Sequence, residues 1–280
     1  MIKQRFGLYE KALPRDWSMV KKLETARDLG YDYFELSTDE SDAFQARMSM
    51  DRAGRAEIRK AIWDTGLPIW TMCLSGTRNC PIGSKDPDLR KKGFDLTVDA
   101  IHFSADIGLR IIQPMAYDEY YNERDEETRG RFMENLALLA EEAASCGVML
   151  ALENVDIDTM DNLEKGLDII KEIGSPWLQL FPDIANLFGT GIGNEAAIEQ
   201  YRIAKEHIVA SHVKDSVAGK FRDVPFGEGN VDFDMFFDMI HEENIHGPFT
   251  LEIWAHNYSD PVEAAGLALN FVKSKYERRK

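Results

Sequence analysis

The sequence has few basic residues for its length. Lys and Arg number 33 against 49 Asp and Glu in 280 residues, which gives a net charge of −16. Nucleic acids and anionic membranes would repel such a chain, because binding to either depends on cations that neutralise phosphate groups. The composition therefore argues against nucleic-acid and membrane partners. A local basic pocket for a small anion remains compatible with it.

Cysteine is also scarce, and long apolar runs are missing. The three cysteines are odd in number and form no CxxC motif, which fits reduced thiols better than a disulfide framework. No apolar run approaches the roughly 20 residues that span a bilayer, and the first residues lack the apolar segment of a signal peptide. The sequence therefore predicts a cytoplasmic protein.

A repeated unit of helix, glycine and short apolar run is present instead. Five such glycines, with a looser sixth copy at Gly247, stand where a helix would end in a left-handed residue: Gly30, Gly66, Gly108, Gly147 and Gly174. The first four are 36, 42 and 39 residues apart, which is the size of one αβ unit. The chain is therefore a succession of similar units.

Eight apolar runs are predicted to be strands. They are Phe6–Tyr9, Tyr33–Leu36, Ile69–Cys73, Ile111–Met115, Met149–Glu153, Leu178–Asp183, Ile208–Val213 and Phe249–Ile253. Helical periodicity between them places Trp63, Phe132 and Met133 in the core. Eight βα units favour a (β/α)8 TIM barrel over an open doubly wound sheet. No linker divides the chain, so residues 1–280 are predicted to form a single α/β domain.

The last four strands each end in an ionisable residue on the face that points into the barrel. Because strand residues alternate between interior and helix layer, Glu153, Asp183, His212 and Glu252 share the inward parity. One such residue would be read as a helix cap or a core histidine. Four of them meeting where barrel active sites lie require a counter-charge. Three carboxylates and an imidazole suit Mn²⁺, Co²⁺, Mg²⁺ or Zn²⁺.

Several motifs carry a family resemblance that covers residues from about 6 to 275. "ALENVD", "FPDIANL", "HVKDS" and "TLEIW" resemble the metal-binding strand ends of the xylose-isomerase-like sugar isomerase and epimerase superfamily. "GLYEKALP" and "VPFGEGNVDF" are more specific and resemble the L-ribulose-5-phosphate 3-epimerase family. The resemblance implies a xylose-isomerase-like barrel and one divalent metal ion, Mn²⁺ before Zn²⁺, Co²⁺ or Mg²⁺. It also implies a homo-oligomer, either a dimer or a tetramer.

The activity that the resemblance implies is C3 epimerisation of a ketopentose 5-phosphate, between L-ribulose 5-phosphate and L-xylulose 5-phosphate, in L-ascorbate degradation. Glu153, Asp183, His212 and Glu252 match the metal ligands, and Glu153 and Glu252 match the proton-transfer residues. The chemistry agrees, since a metal can stabilise the enediolate charge. Strands five and eight lie about 135° apart on an eight-strand ring, so the two glutamates can flank a planar enediolate.

Substrate contacts are expected around this centre. Lys214, Lys220 and Arg222 follow strand seven, in a region where barrels often bind phosphate. The backbone N–H groups of the adjacent "FGEG" could approach the same anion. Solvated surface charge is the alternative for these cations.

Other candidate contacts lie at strand ends. Asn186 stands where ketose 3-epimerases of free sugars carry a substrate-binding histidine, so the chain departs from that pattern. Tyr9, Glu35 and Gln113 could contact sugar hydroxyls, and Ser75 and Arg78 are further candidates for the anion.

Other functions use the same barrel. An aldose–ketose sugar phosphate isomerase needs the same metal and enediolate, and an inosose-type dehydratase shares the fold, so the ligands do not separate either from an epimerase. An apurinic endonuclease needs more histidine and a basic face, which six histidines and the charge of −16 oppose. A non-catalytic sugar-phosphate sensor would be free to lose one of the four ligands, and all four are present.

Overall fold

The computed structural model describes residues 4–278, in which eight strands alternate with helices. The strands are β1 (Phe6–Tyr9), β2 (Tyr33–Ser37), β3 (Ile69–Cys73), β4 (Ile111–Gln113), β5 (Met149–Leu152), β6 (Leu178–Leu180), β7 (Ser211–Val213) and β8 (Phe249–Leu251). The α-helices are α1 (Met19–Leu29), α2 (Asp42–Gln45), α3 (Arg52–Thr65), α4 (Pro87–Ile107), α5 (Glu126–Cys146), α6 (Leu163–Ile173), α7 (Ile184–Leu187), α8 (Asn194–Ala204), α9 (Phe233–Glu242) and α10 (Pro261–Glu277). Short 3₁₀ segments span Glu10–Ala12, Ser75–Asn79, Lys205–His207 and Ala255–Asn257, and a π-helical turn spans Phe188–Ile192.

All strand pairs are parallel, and the sheet closes on itself. The order of the strands is β6-β5-β4-β3-β2-β1-β8-β7, and bridges Leu180–Ile208 and Asp183–His212 join the two end strands. The backbone N–H of His212 also donates to the carbonyl of Pro182 over 2.9 Å. The (β/α)8 barrel that the sequence predicts is therefore confirmed. The single domain over residues 1–280 reaches beyond the described residues and stays a prediction.

The five glycines at the ends of repeat units terminate α1, α3, α4, α5 and α6 in the left-handed region, with φ between 66° and 91°. Gly247 differs, because it follows the end of α9 by several residues and Asn244 takes the positive φ of 56° there. A Cβ on Gly247 would lie 2.9 Å from the carbonyl oxygen of Val209. The sixth glycine therefore permits a close backbone approach instead of ending a helix.

The helices bury one face each against the barrel. On α5 the predicted core residues Phe132 and Met133 are buried. Trp63 on α3 is 86% exposed, so its predicted core position is wrong. Ile58, Ala61 and Thr65 form the buried face of this helix, and Trp63 falls on the opposite side. No helix within residues 4–278 combines the length and apolar character that crossing a membrane requires.

The barrel interior has a small apolar floor. Ala151, Phe181 and Ala210 pack together there, with Val209 against them. Ile208, the first residue of the predicted seventh strand, instead packs with the outer core, and β7 begins only at Ser211. Four strands, β4, β5, β6 and β8, end earlier than predicted, whereas β2 extends to Ser37. In β6 the last strand residue is Leu180, and Asp183 already caps α7. Polar side chains therefore follow the last hydrogen-bonded strand residues, just above this apolar floor.

Candidate metal centre and substrate pocket

Four ionisable side chains meet above the apolar floor. Glu153 follows β5, Asp183 caps α7, His212 lies in β7 and Glu252 follows β8. All four are buried, and one donor atom of each lies within 4.8 Å of the others. The structure thus brings together the four residues that the sequence analysis selects. Their role as metal ligands stays a prediction.

His212 has a partner at each ring nitrogen. Its Nε2 lies 2.6 Å from Oε1 of Glu35, and its Nδ1 lies 2.9 Å from Oε1 of Glu153 and 3.8 Å from Oε2 of Glu252. Burial alone would lower the pKa of His212, but the carboxylates of Glu35, Glu153 and Glu252 outweigh it and raise the pKa well above its usual value. The Nε2 of Gln113 lies 3.4 Å from Nδ1, which places Gln113 beside the imidazole.

Glu35 on β2 lies below the pocket. Its side chain is fully buried, and its Oε2 accepts hydrogen bonds from Thr71 (2.5 Å) and Thr250 (3.0 Å). Glu35 is not among the residues that line the pocket, and its predicted contact with a sugar hydroxyl stays a prediction. The position at a strand end is the sequence signal that pointed to Glu35, but it does not reveal His212 as the partner.

Lys214 lies among the carboxylates of the centre. Its Nζ is 2.8 Å from Oδ2 of Asp183 and 2.7 Å from Oε2 of Glu252. Burial would lower the pKa of Lys214, but the charges of Asp183 and Glu252 raise it above its usual value. Lys214 therefore remains a cation that neutralises two of the four candidate ligands. Its predicted contact with a phosphate group stays a prediction.

The two glutamates have different surroundings. Burial raises the pKa of Glu153 to about 7, although His212 opposes this. For Glu252 burial again favours the protonated form, but Lys214 and His212 outweigh it and lower the pKa to about 2. The cation pairs of Glu252 thus stabilise its charge more strongly than the imidazole stabilises that of Glu153.

A pocket opens above the two glutamates at the carboxyl ends of the strands. Glu153 and Glu252 line its lower part, and aromatic side chains including Tyr117, Tyr120 and Trp254 form walls. Cations reach it from two sides. Lys214 and Arg222 lie on one side, and Lys11 and Arg78 lie on the other, near Ser75.

Some of the remaining predicted substrate contacts line this pocket, and others do not. Arg222 is exposed and lines it, and Asn186 lines it with its Nδ2 3.4 Å from Oε1 of Glu153. Lys220 does not line the pocket, because its Nζ donates to the carbonyl of Asp223 over 2.8 Å. Gln113 lies beneath the pocket, beside His212. Arg222 and Asn186 thus line the pocket, and their contacts with a substrate stay predictions.

The "FGEG" loop surrounds an internal carboxylate. The N–H groups of Gly227 and Gly229 donate to Oδ2 of the buried Asp215 over 2.9 and 3.0 Å. A Cβ on Gly229 would come within 2.0 Å of Oδ1 of the same residue, which requires glycine there. The expectation that these amides approach a bound anion is therefore wrong, because Asp215 already occupies them.

The loop after β1 is held by a buried ion-pair network that the sequence analysis missed. Glu10 accepts from Lys22 (3.0 Å), from Arg47 (2.9 Å) and from the N–H of Ser37 (2.9 Å). Burial would raise the pKa of Glu10, but Arg47 and Lys22 outweigh it and lower the pKa. The network fixes the segment that carries Lys11 to the pocket.

Comparison with known proteins agrees with this architecture. Residues 23–275 match the family model described as xylose isomerase-like TIM barrel. The chain is 39% identical over 269 residues to L-ribulose-5-phosphate 3-epimerase UlaE of Escherichia coli, with 96% of this chain and 94% of that protein covered. The same protein of Escherichia fergusonii matches with the same identity and coverage.

Solved structures show the same fold at lower identity. A D-allulose 3-epimerase from Methylomonas sp. in complex with D-allulose is 22% identical, with a TM-score of 0.80 and coverage of 99% of this chain and 98% of that chain. An L-ribulose 3-epimerase is 21% identical, with a TM-score of 0.81 and coverage of 99% and 96%. The curated relatives identify the chain as an enzyme of the isomerase class. The chain belongs to the xylose isomerase-like TIM barrel family.

Proposed function

We propose that the chain is a metal-dependent 3-epimerase that interconverts L-ribulose 5-phosphate and L-xylulose 5-phosphate. The observation that carries this proposal is the group of Glu153, Asp183, His212 and Glu252 beneath a pocket with cations on two sides. The identity of 39% to curated L-ribulose-5-phosphate 3-epimerases supports the choice of substrate. A role in L-ascorbate degradation and a cytoplasmic homodimer or homotetramer belong to the same proposal.

The residues of the centre fit a divalent metal ion. Oδ2 of Asp183 is buried and lies 2.8 Å from the ammonium group of Lys214, so this oxygen already faces a positive charge. Carboxylate oxygens and one imidazole nitrogen form a donor set that suits Mn²⁺, our first choice, and also Zn²⁺, Co²⁺ or Mg²⁺. Glu153, Asp183, His212 and Glu252 would hold the ion. When bound, the ion supplies Lewis-acid polarisation of the substrate carbonyl, which acidifies the neighbouring C–H bond.

Glu153 and Glu252 perform the proton transfers in this proposal. They follow β5 and β8, which are three strands apart on the ring, and both line the pocket. A ketose placed between them presents opposite faces of C3 to the two carboxylates. One glutamate removes the C3 proton, and the other donates a proton to the opposite face of the planar enediolate. The configuration at C3 is thereby inverted.

Cations around the pocket would bind the phosphate group. Among Lys214, Lys220 and Arg222, the strongest candidate for the phosphate contact is Arg222, because it lines the pocket without an ion pair to the candidate ligands. Lys214 stays in the proposal, although Asp183 and Glu252 already hold its ammonium group. Lys11 and Arg78 are alternative phosphate contacts on the other side of the pocket. Asn186, with Gln113 behind His212, is proposed to orient the sugar near Glu153.

NMR of L-ribulose 5-phosphate with the Mn²⁺-loaded enzyme in D₂O tests the proposal, after the paramagnetic ion is removed from the quenched sample. We expect L-xylulose 5-phosphate to form with deuterium at C3. An aldose product would show an aldose–ketose isomerase, and loss of water would show a dehydratase. Binding of the sugar without any turnover would favour a sensor.

A further inference from the structure

The imidazole of His212 could fill nearly the same space in two orientations. Phe181 and Tyr9 pack against the ring with centroid distances of 4.9 and 5.9 Å, and these contacts restrict its plane. A rotation of the ring by half a turn about the Cβ–Cγ bond would keep that plane and place the carbons Cδ2 and Cε1 where Nδ1 and Nε2 now lie. Packing alone therefore does not determine whether Nδ1 or the carbon Cδ2 faces Glu153 and Glu252.

Glu35 distinguishes the two orientations. Its Oε1 lies 2.6 Å from Nε2 of His212, whereas its Oε2 accepts hydrogen bonds from the hydroxyls of Thr71 and Thr250. Both oxygens of this fully buried carboxylate thus have specific partners. A buried carboxylate is costly unless its partners compensate it. An apolar residue would fill the same space in β2 at lower cost if packing were its only purpose.

We propose that Glu35 is a positioning residue that holds Nε2–H of His212 and thereby presents Nδ1 to the divalent ion. A carboxylate that accepts one ring N–H fixes the tautomer and increases the basicity of the other nitrogen. In this structure the other nitrogen is Nδ1, which already faces Glu153 and Glu252. The inference rests on the metal centre of the proposed function and adds a residue from a strand that supplies none of its four ligands.

Binding of Mn²⁺ to the full-length protein tests this role without any sugar. The free ion is followed by its EPR signal during titration of wild type, Glu35→Ala and Glu35→Gln. We expect Glu35→Ala to weaken binding by about 10- to 100-fold, the usual effect of removing such a partner. Glu35→Gln should fall between wild type and Glu35→Ala, because its amide oxygen still accepts Nε2–H but carries no charge. If Glu35→Ala does not fold, the Mn²⁺ affinity of Glu35→Gln relative to wild type alone decides whether the proposal stands.

Thr71→Val is the matched control. It removes the 2.5 Å hydrogen bond to Oε2 of Glu35 and leaves the contact of Oε1 with His212 in place. We expect this variant to bind Mn²⁺ as wild type does, even if its metal-free form unfolds at a lower temperature. The proposal is overturned if the Glu35 variants bind Mn²⁺ like wild type, or if Thr71→Val loses as much affinity as Glu35→Gln.

His212→Ala, titrated in parallel, separates this inference from the proposed function. If His212→Ala binds Mn²⁺ like wild type, the metal centre itself is wrong, and the role of Glu35 fails with it. If His212→Ala loses the ion while both Glu35 variants keep it, only the role of Glu35 is wrong.

Discussion

Nδ1 of His212 lies 2.9 Å from Oε1 of Glu153, although the two residues are 59 positions apart and belong to strands that are not neighbours. β6 lies between β5 and β7, and the contact exists because the barrel curves around its interior. The geometry of the centre therefore depends on closure of the barrel. Substitutions at the four residues of the centre can be tested for function and for folding separately.

Replacement of His212 by alanine should remove most bound metal and all measurable epimerase activity. The barrel should stay folded, because the change removes a side chain at the site and little of the apolar core. Metal content after dialysis, activity and circular dichroism check this outcome. His246→Ala, at an exposed histidine, serves as the control and should match wild type. Full turnover by His212→Ala after exhaustive chelation would contradict the assignment.

Arg222→Ala should weaken binding of the phosphorylated ketose by about ten- to a hundredfold and binding of the free ketose much less. The reason is the loss of a charge-assisted hydrogen bond worth about 1.5–3 kcal/mol. Steady-state KM and kcat/KM for both sugars give the comparison. Lys220→Ala should have little effect on either sugar, because its Nζ bonds to a carbonyl outside the pocket lining. Equal losses for both sugars in Arg222→Ala would remove Arg222 from the phosphate site.

The same assay separates the two sides of the pocket. Lys11→Ala and Arg78→Ala should discriminate between phosphorylated and free ketose if the phosphate lies on their side. In that case Arg222→Ala should show no such preference, and the proposed phosphate contacts would have to be reassigned.

Lys214→Met should destabilise the metal-free protein more than the Mn²⁺-saturated protein. Removing the ammonium leaves Asp183 and Glu252 buried without their cation, which costs about 3–5 kcal/mol for a buried pair. A divalent ion at the same carboxylates compensates part of this loss. Thermal unfolding with and without Mn²⁺ measures the difference. An equal decrease in both forms would show that Lys214 acts independently of the metal centre.

Glu10→Gln should lower the free energy of unfolding near neutral pH by about 3–5 kcal/mol, because it breaks the buried pairs with Lys22 and Arg47. The pKa of Glu10 is lowered in the folded protein, so its contribution is fully present above the unfolded pKa of about 4.3. It is lost as the pH falls through the lower, folded pKa. The difference between wild type and variant should therefore narrow in acid.

Urea unfolding at neutral and acidic pH measures this difference. Glu24→Gln, at an exposed position of α1, is the control and should change little at either pH. A gap that widened in acid would contradict the sign of the pKa shift.

The fold was predictable because its signals are local and repeated. A helix-ending glycine precedes five of the eight apolar runs, as at Gly108 and β4, and eight such runs leave few alternative folds. The candidate ligands were also predictable from the sequence, since strand parity alone places Glu153 and His212 on the inward face. The bounds of the strands were less accurate, because the ladder of hydrogen bonds ends before the apolar run does.

Contacts between distant segments were not predictable in the same way. Glu35 and His212 are 177 positions apart, and only the closed barrel shows that they bond. Lys214 shares the parity of His212, but the sequence does not reveal that Asp183 and Glu252 take its ammonium group. The glycines of "FGEG" resembled an anion site because Asp215 could not be recognised as their partner.

The exchange of the C3 hydrogen in D₂O, followed separately for L-ribulose 5-phosphate and L-xylulose 5-phosphate, tests the two-glutamate mechanism most directly. In Glu252→Gln net epimerisation should fall by about 10²–10⁴-fold, the usual weight of a general acid–base group. One epimer, and only one, should still exchange its C3 hydrogen, because Glu153 can act on its own face. Glu153→Gln should show the mirror pattern.

Each variant must first be shown to bind the metal ion, since both residues are also proposed ligands. We expect opposite single-epimer exchange in the two metal-loaded variants. Undiminished exchange of both epimers by both metal-loaded variants would contradict it and place the bases elsewhere.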